Sequence, residues 1–166
     1  MSSDAELGLN NPGAYTVSEG VAKELDIHDH HGTAEINLGP ELDGLIQVYV
    51  HEQGEQERYA KTVIEVGHHH HHGLTSIGLP LEITPCDYSH ARMGESYEIQ
   101  VLKEGNPLPN AEVRATYSST NSRDYPHRLT TNEEGRAKIF LTARGNYLFS
   151  VQDGSIISTF TLMKSF

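Results

Sequence analysis

Histidine dominates the residues of this chain that could do chemistry. There are 11 histidines among 166 residues, and they are clustered. Five are consecutive, His68, His69, His70, His71 and His72, between Gly67 and Gly73. Three more fall in Ile27-His28-Asp29-His30-His31-Gly32, while His51, His90 and His127 stand alone. Neutral imidazole is a strong ligand for the borderline divalent ions Ni²⁺, Co²⁺, Zn²⁺ and Cu²⁺. In an extended backbone His68, His70 and His72 project to one side, so alternate rings can converge on one ion. The flanking glycines free the backbone to wrap around it. Asp29 adds a hard carboxylate oxygen to His28, His30 and His31. The chain's one cysteine, Cys86, lies in neither cluster, which leaves nitrogen-and-oxygen coordination. The expected metal ligands are therefore His68 to His72, with His28, Asp29, His30 and His31. The spacing matches neither His-Glu-x-x-His nor a zinc finger, and it does not name the ion.

Blander readings of the same residues stay open. A histidine run can be a purification tag, although tags are usually six residues long and terminal, whereas this run is internal. It can also be a solvated loop whose affinity for metal is incidental. His51, His90 and His127 are expected in ordinary surface or hydrogen-bonded roles.

Catalytic signatures are absent. The sequence has no phosphate-binding glycine loop, no Gly-x-Ser-x-Gly elbow and no dinucleotide fingerprint. Glu133 and Glu134 read as turn residues rather than an acid/base pair. Asp87, Ser89 and His90 are neighbours in sequence, which is no evidence for a triad. A metal held with an open coordination site could activate water, but no residue specifies a general base or a substrate pocket. The expectation is that the protein is not an enzyme.

The formal charge of −11 argues against nucleic acid and against anionic lipid surfaces, and leaves cations as natural partners. No apolar run reaches the roughly eighteen residues a spanning helix needs, so direct membrane insertion is not expected. One cysteine excludes a disulfide framework within the chain, and an inert, half-buried thiol is expected for Cys86. The segment Met1-Ser2-Ser3-Asp4-Ala5-Glu6 lacks the basic-then-apolar order of an export signal. That fits a cytoplasmic protein, or an exported one whose signal has been removed.

The elements that must position these residues read as β-strands. From Leu79 onward, apolar and polar residues alternate between turn residues, with no convincing helix. Ser96 to Leu102 places Tyr97, Ile99 and Val101 on one face, and Glu112 to Tyr117 does the same for Val113, Ala115 and Tyr117. Glu104-Gly105-Asn106-Pro107 is a turn, and Ser118 to Pro126 a polar loop. His127 to Thr131 and Arg136 to Thr142 read as a hairpin joined through Asn132-Glu133-Glu134-Gly135. Tyr147 to Val151 and Ile156 to Met163 follow. Six or seven short strands with a turn about every ten residues predict an antiparallel β-sandwich of the immunoglobulin-like or prealbumin-like kind. Upstream, Ala14 to Val17, Ala34 to Leu38 and Leu45 to Val50 read as further strands, and Arg58 to Val66 as a strand or a short helix, with Thr62, Val63, Ile64 and Val66 favouring the strand. The expected organisation is an N-terminal β-rich segment over residues 1–78, carrying the histidine clusters, and a C-terminal sandwich over residues 79–166.

Three segments carry a resemblance: Gly105-Asn-Pro-Leu-Pro-Asn-Ala-Glu-Val113, Thr131-Asn-Glu-Glu-Gly-Arg-Ala-Lys-Ile-Phe140 and Arg144-Gly-Asn-Tyr-Leu148. They resemble a signature shared by carboxypeptidase regulatory-like and transthyretin-like modules. With Tyr59-Ala60-Lys61, Gly78-Leu-Pro-Leu-Glu-Ile-Thr-Pro85 and Gly94-Glu95 added, the chain resembles the domain-of-unknown-function family 4198, whose members are often described as NikM-like accessory proteins of nickel or cobalt uptake. The resemblance implies a periplasmic or extracellular location and a binding role beside a membrane metal-transporter complex, with Ni²⁺ or Co²⁺ ahead of Zn²⁺ and Cu²⁺. It does not itself assign the histidines as ligands. The export signal and the Ala-His-containing start typical of that family are not found here.

Two functional classes follow. The first is a non-catalytic metal-binding accessory protein. The second is a structural or adhesive β-sandwich that binds a protein or glycan, with incidental histidines. A metal-dependent hydrolase ranks last.

Overall fold

A computed structural model describes the backbone over residues 13–18, 21–24, 27–30, 33–36, 44–66, 76–87, 91–120 and 125–163, and side chains over 45–65, 76–87, 91–120 and 125–163. Every regular element among these residues is a β-strand. In chain order they are β1 (Gly13–Ser18), β2 (Val21–Glu24), β3 (Ile27–His30), β4 (Thr33–Ile36), β5 (Gly44–Glu52), β6 (Glu57–Val66) and β7 (Leu81–Pro85). Then come β8 (Ser96–Lys103), β9 (Asn106–Pro107), β10 (Glu112–Tyr117), β11 (His127–Thr130), β12 (Arg136–Phe140), β13 (Tyr147–Asp153) and β14 (Ile156–Leu162).

The alternation read from the sequence becomes burial. Tyr97, Ile99 and Val101 of β8, Val113 and Ala115 of β10, and Tyr147, Phe149 and Val151 of β13 all face one core, while their polar neighbours face out. Two sheets close over that core. The larger runs β11-β10-β13-β14-β6-β5-β1-β2, and the smaller runs β12-β8-β7 with β9 attached to β8. The all-β sandwich expected from the sequence is the observed fold. β3 and β4 form a separate two-stranded sheet.

One pairing departs from the antiparallel pattern. β6 runs parallel to β14, with Glu57 opposite Ile156 and Thr62 opposite Thr161, and this pairing carries the larger sheet from the C-terminal strands into the N-terminal ones. The expected boundary between residues 78 and 79 therefore falls in a connection, β6 to β7, whose flanking strands belong to different sheets of one sandwich.

A second departure is a correction. The sequence reading joins His127 to Thr131 and Arg136 to Thr142 as a hairpin, but β11 pairs with β10 and β12 pairs with β8, in different sheets. The turn is an arch across the sandwich rather than a reversal within one sheet. Asn132 holds it, its side-chain oxygen accepting from the Glu134 and Arg136 amides. Gly135 presses the arch onto β8, where the Val101 amide donates to the Gly135 carbonyl at 2.8 Å. Local turn chemistry is the same for a hairpin and an arch, so the sequence does not separate them.

Gly135 is fixed by space as well as by its φ of 69°. A Cβ there would sit 2.6 Å from the Val101 carbonyl oxygen and 2.9 Å from the Leu108 nitrogen, both backbone atoms with little room to yield. Gly154, in the β13–β14 turn, has a φ of 58° but open space around it. Gly154→Ala is expected to cost about 1–2 kcal/mol from backbone strain alone, and Gly135→Ala about 3 kcal/mol or more because overpacking adds to it. Urea denaturation of the two variants checks this ordering; equal losses would mean that the arch shifts to admit the methyl group.

Candidate functional site

Of the expected metal ligands, His68 to His72 and His31 lie outside the described residues. His28, Asp29 and His30 fall in β3, which pairs with β4 so that His28 lies opposite Glu35, Asp29 opposite Ala34 and His30 opposite Thr33. The hairpin thus brings a fourth potential ligand residue, Glu35, into register with the first histidine. Among the residues whose side chains are described, which do not include those of β3 and β4, no group of three or more histidine, cysteine or acidic residues is placed to hold a metal ion.

Two of the isolated histidines are described, and His51 departs from the surface or hydrogen-bonded role expected of it, because its Nε2 is buried without a hydrogen-bond partner among the described residues. His51 stacks on Tyr59 across β5 and β6, with ring centroids 4.3 Å apart and planes within 4°. Its Nε2 lies 3.7 Å from Glu57 Oε1. His127 tilts against Tyr117. Cys86 is half-buried, and burial, reinforced by the nearby Glu98 carboxylate, pushes its thiol up to about 11. A thiol so rarely ionised is a poor nucleophile and a poor ligand near neutral pH.

The strongest polar constellation was not singled out as a site by the sequence reading. Lys61 on β6 reaches Glu82 Oε2 on β7 at 2.7 Å, and both side chains are almost completely buried. The same ammonium donates to Gln47 Oε1 on β5 at 3.1 Å and to Thr84 Oγ1 at 3.0 Å. Thr84 in turn donates its hydroxyl proton to Glu82 Oε2. The other carboxylate oxygen, Oε1, accepts from the backbone amides of Ile77, Gly78 and Leu79. Three strands and one connection therefore meet on a single ion pair.

The local patterns explain why these residues face inward. In β6, period two places Lys61 between Tyr59 and Val63, both buried. All five residues of β7 are buried, so its two faces serve different surroundings. Leu81 and Ile83 enter the apolar core, while Glu82 and Thr84 turn to Lys61. A lysine in register with buried apolar residues was the available signal. It appeared in the sequence reading only as part of Tyr59-Ala60-Lys61, and Glu82 only as part of Leu-Pro-Leu-Glu-Ile.

Burial lowers the readiness of Lys61 to carry charge, and Glu82 opposes that through its charge and its hydrogen bond; the net direction is downward. Desolvation thus outweighs attraction for the ammonium, the usual balance for a buried ion pair. Such a pair adds little net stability, yet losing one partner strands the other. Its value here is positional. Val66 ends β6, and Ile77 is the first of the three amides held by Glu82, so the pair fastens the chain on both sides of the segment that contains the histidine run.

Lys61→Met and Glu82→Gln are each expected to destabilise the protein by about 3–5 kcal/mol, with the double variant losing less than the sum. Additive losses in chemical denaturation would contradict coupling of the pair. The pH dependence has a definite sign. Because Lys61 is held below its ordinary value of 10.5, the native state releases that proton before the unfolded chain does. Between the two values the unfolded chain binds more protons, so the contribution of Lys61 to stability rises with pH. The stability of the native protein relative to Lys61→Met should therefore increase as pH climbs toward that ordinary value.

The chain was compared with known proteins. No curated protein matches it. Among solved structures, the crystal structure of murine CEACAM1b aligns over 95% of this chain and 85% of that one, at 14% identity and a TM-score of 0.31. A likeness that weak carries no argument. A family model described as domain of unknown function (DUF4198) matches residues 2–153, a span that includes Lys61, Glu82 and both histidine clusters. The chain belongs to the DUF4198 family.

Proposed function

We propose that this protein is a non-catalytic metal-binding accessory protein that handles Ni²⁺ or Co²⁺ as cargo beside a membrane metal transporter, in the periplasm or outside the cell. The observation that carries the reading is the placement of histidine and carboxylate residues. In β3, two histidines flank an aspartate, with Glu35 in register across β4. The five-histidine run follows β6 and precedes the amides that Glu82 holds. Imidazole nitrogen with carboxylate oxygen suits borderline divalent ions, and the chain's charge of −11 favours cationic cargo. The resemblance to NikM-like proteins supplies the nickel and cobalt preference and the transporter partner. The proposed ligands are His68 to His72, His28, Asp29, His30 and His31.

A structural or adhesive sandwich remains the second reading. The polar outward face of the larger sheet favours it, with Arg114, Ser150 and Gln152 lining one cavity.

Calorimetric titration of Ni²⁺, Co²⁺, Zn²⁺ and Cu²⁺ into the protein separates the two. The metal reading expects selective binding that weakens by at least about tenfold when His68 to His72 are replaced by Gly and Ser. Imidazole must be neutral to ligate, so affinity should collapse below about pH 6, near its unperturbed pKa. Weak binding in simple Irving–Williams order, or affinity undiminished at about pH 5, would defeat the histidine-ligand model.

A further inference from the structure

The outward face of the larger sheet carries an arrangement that metal handling does not use. Val113 and Ala115 of β10 point into the core, so Glu112 and Arg114 point out. On the neighbouring β11, Arg128 and Thr130 also face out, and the register places Arg114 directly opposite Arg128. Like charges in directly opposed positions on a sheet repel. Glu112 offsets part of this. Its Oε1 accepts from Arg114 Nε at 2.8 Å, and that hydrogen bond, with the charge of both guanidinium groups, holds its carboxyl below the usual range. Two cations and one anion leave a local excess of one positive charge, on a chain whose formal charge is −11.

A cavity of about 390 Å³ is lined by two of these three, Glu112 and Arg114, with Tyr125, Ser150, Gln152, Gly154 and Ile157, and Arg128 lies opposite Arg114 on the next strand. That volume lies within the range of small-molecule sites. Ser150 is the β13 residue opposite Arg114, so hydroxyl and guanidinium share one row of the sheet. Tyr125, Ser150 and Gln152 supply neutral hydrogen-bonding groups, and a guanidinium fork matches a carboxylate bidentately. Arg114 commits only Nε to Glu112 in that contact, and a guanidinium has four further N–H donors.

From this geometry we infer that the cavity is a binding site for a small hydroxylated carboxylate, such as an acidic monosaccharide. The carboxylate takes the Arg114 N–H donors that Glu112 leaves, with the charge of Arg128 one strand away in support, and its hydroxyl groups meet Tyr125, Ser150 and Gln152. The site is independent of the histidine clusters, so its failure and the failure of metal binding are separate results.

The test is an NMR titration of the whole protein with D-glucuronate, D-glucose and sulfate as probes. D-Glucuronate at millimolar concentration should shift amides of β10 and β13 and of Tyr125, D-glucose should not, and added salt should weaken the response. Arg114→Ala, at an exposed position, should leave the thermal midpoint nearly unchanged and weaken D-glucuronate binding by at least about tenfold. Ser150→Ala should weaken it less. No shifts with D-glucuronate, shifts that sulfate reproduces, or affinity unaltered in Arg114→Ala would each overturn the proposal.

Discussion

Taking Lys61 and Glu82 out of water obliges the chain to build everything around them. An isolated buried charge costs several kcal/mol, so each must find its full set of partners before the sandwich can close. Lys61 finds Glu82, Gln47 and Thr84; Glu82 finds Lys61, Thr84 and three successive amides. These partners come from β5, β6, β7 and the connection that leads into β7. Satisfying one ion pair therefore ties β6 to β5 through Gln47, sets where β7 lies across from them, and sets how residues 77–79 approach. A one-residue slip of β6 would turn Lys61 toward solvent and leave Glu82 stranded.

The parallel β6–β14 pairing rests on burial. Parallel ladders are slightly weaker per residue and join segments far apart in sequence. Here the pairing gains from burial on the core side, where Tyr59, Lys61 and Val63 of β6 and Ser158, Phe160 and Leu162 of β14 are all buried. Replacing the pair with apolar residues of similar volume could leave stability unchanged, as for many buried ion pairs. What it would remove is the penalty against wrong registers. The pair specifies more than it stabilises.

Much of the fold was legible because alternation is a strong local signal. Strands such as Ser96 to Leu102 and Glu112 to Tyr117 follow directly from it, and the turn at Glu104-Gly105 follows from Gly105, which accepts its φ of 81°, whereas the φ of 51° at Glu104 is not signalled by its residue type. What escaped was non-local. Whether Asn132 to Gly135 returns the chain within a sheet or carries it across depends on partners dozens of residues away. Strand β7 alternates in sequence, Leu81-Glu82-Ile83-Thr84, but that pattern reads as one solvated face, whereas both faces are buried. The ion pair was half visible: Lys61 sat in an apolar register, but nothing local connects it with a glutamate 21 positions later. The histidine clusters were conspicuous by composition alone, because ligand type shows in sequence whereas coordination geometry does not.

The fold and the proposed function meet at the connection from β6 to β7. If metal is taken up by the histidine run, it binds between two anchored points rather than on a free tail. Native-state hydrogen exchange of the Ile77, Gly78 and Leu79 amides tests the anchoring most directly. With Glu82 as the hub, these three amides should exchange only through the same global opening that exposes β6, β14 and the sandwich core, with one shared free energy and denaturant dependence. Rapid exchange of all three, through local fluctuations that leave the core amides protected, would show that Glu82 does not hold this connection and would contradict the central role given to the Lys61–Glu82 pair.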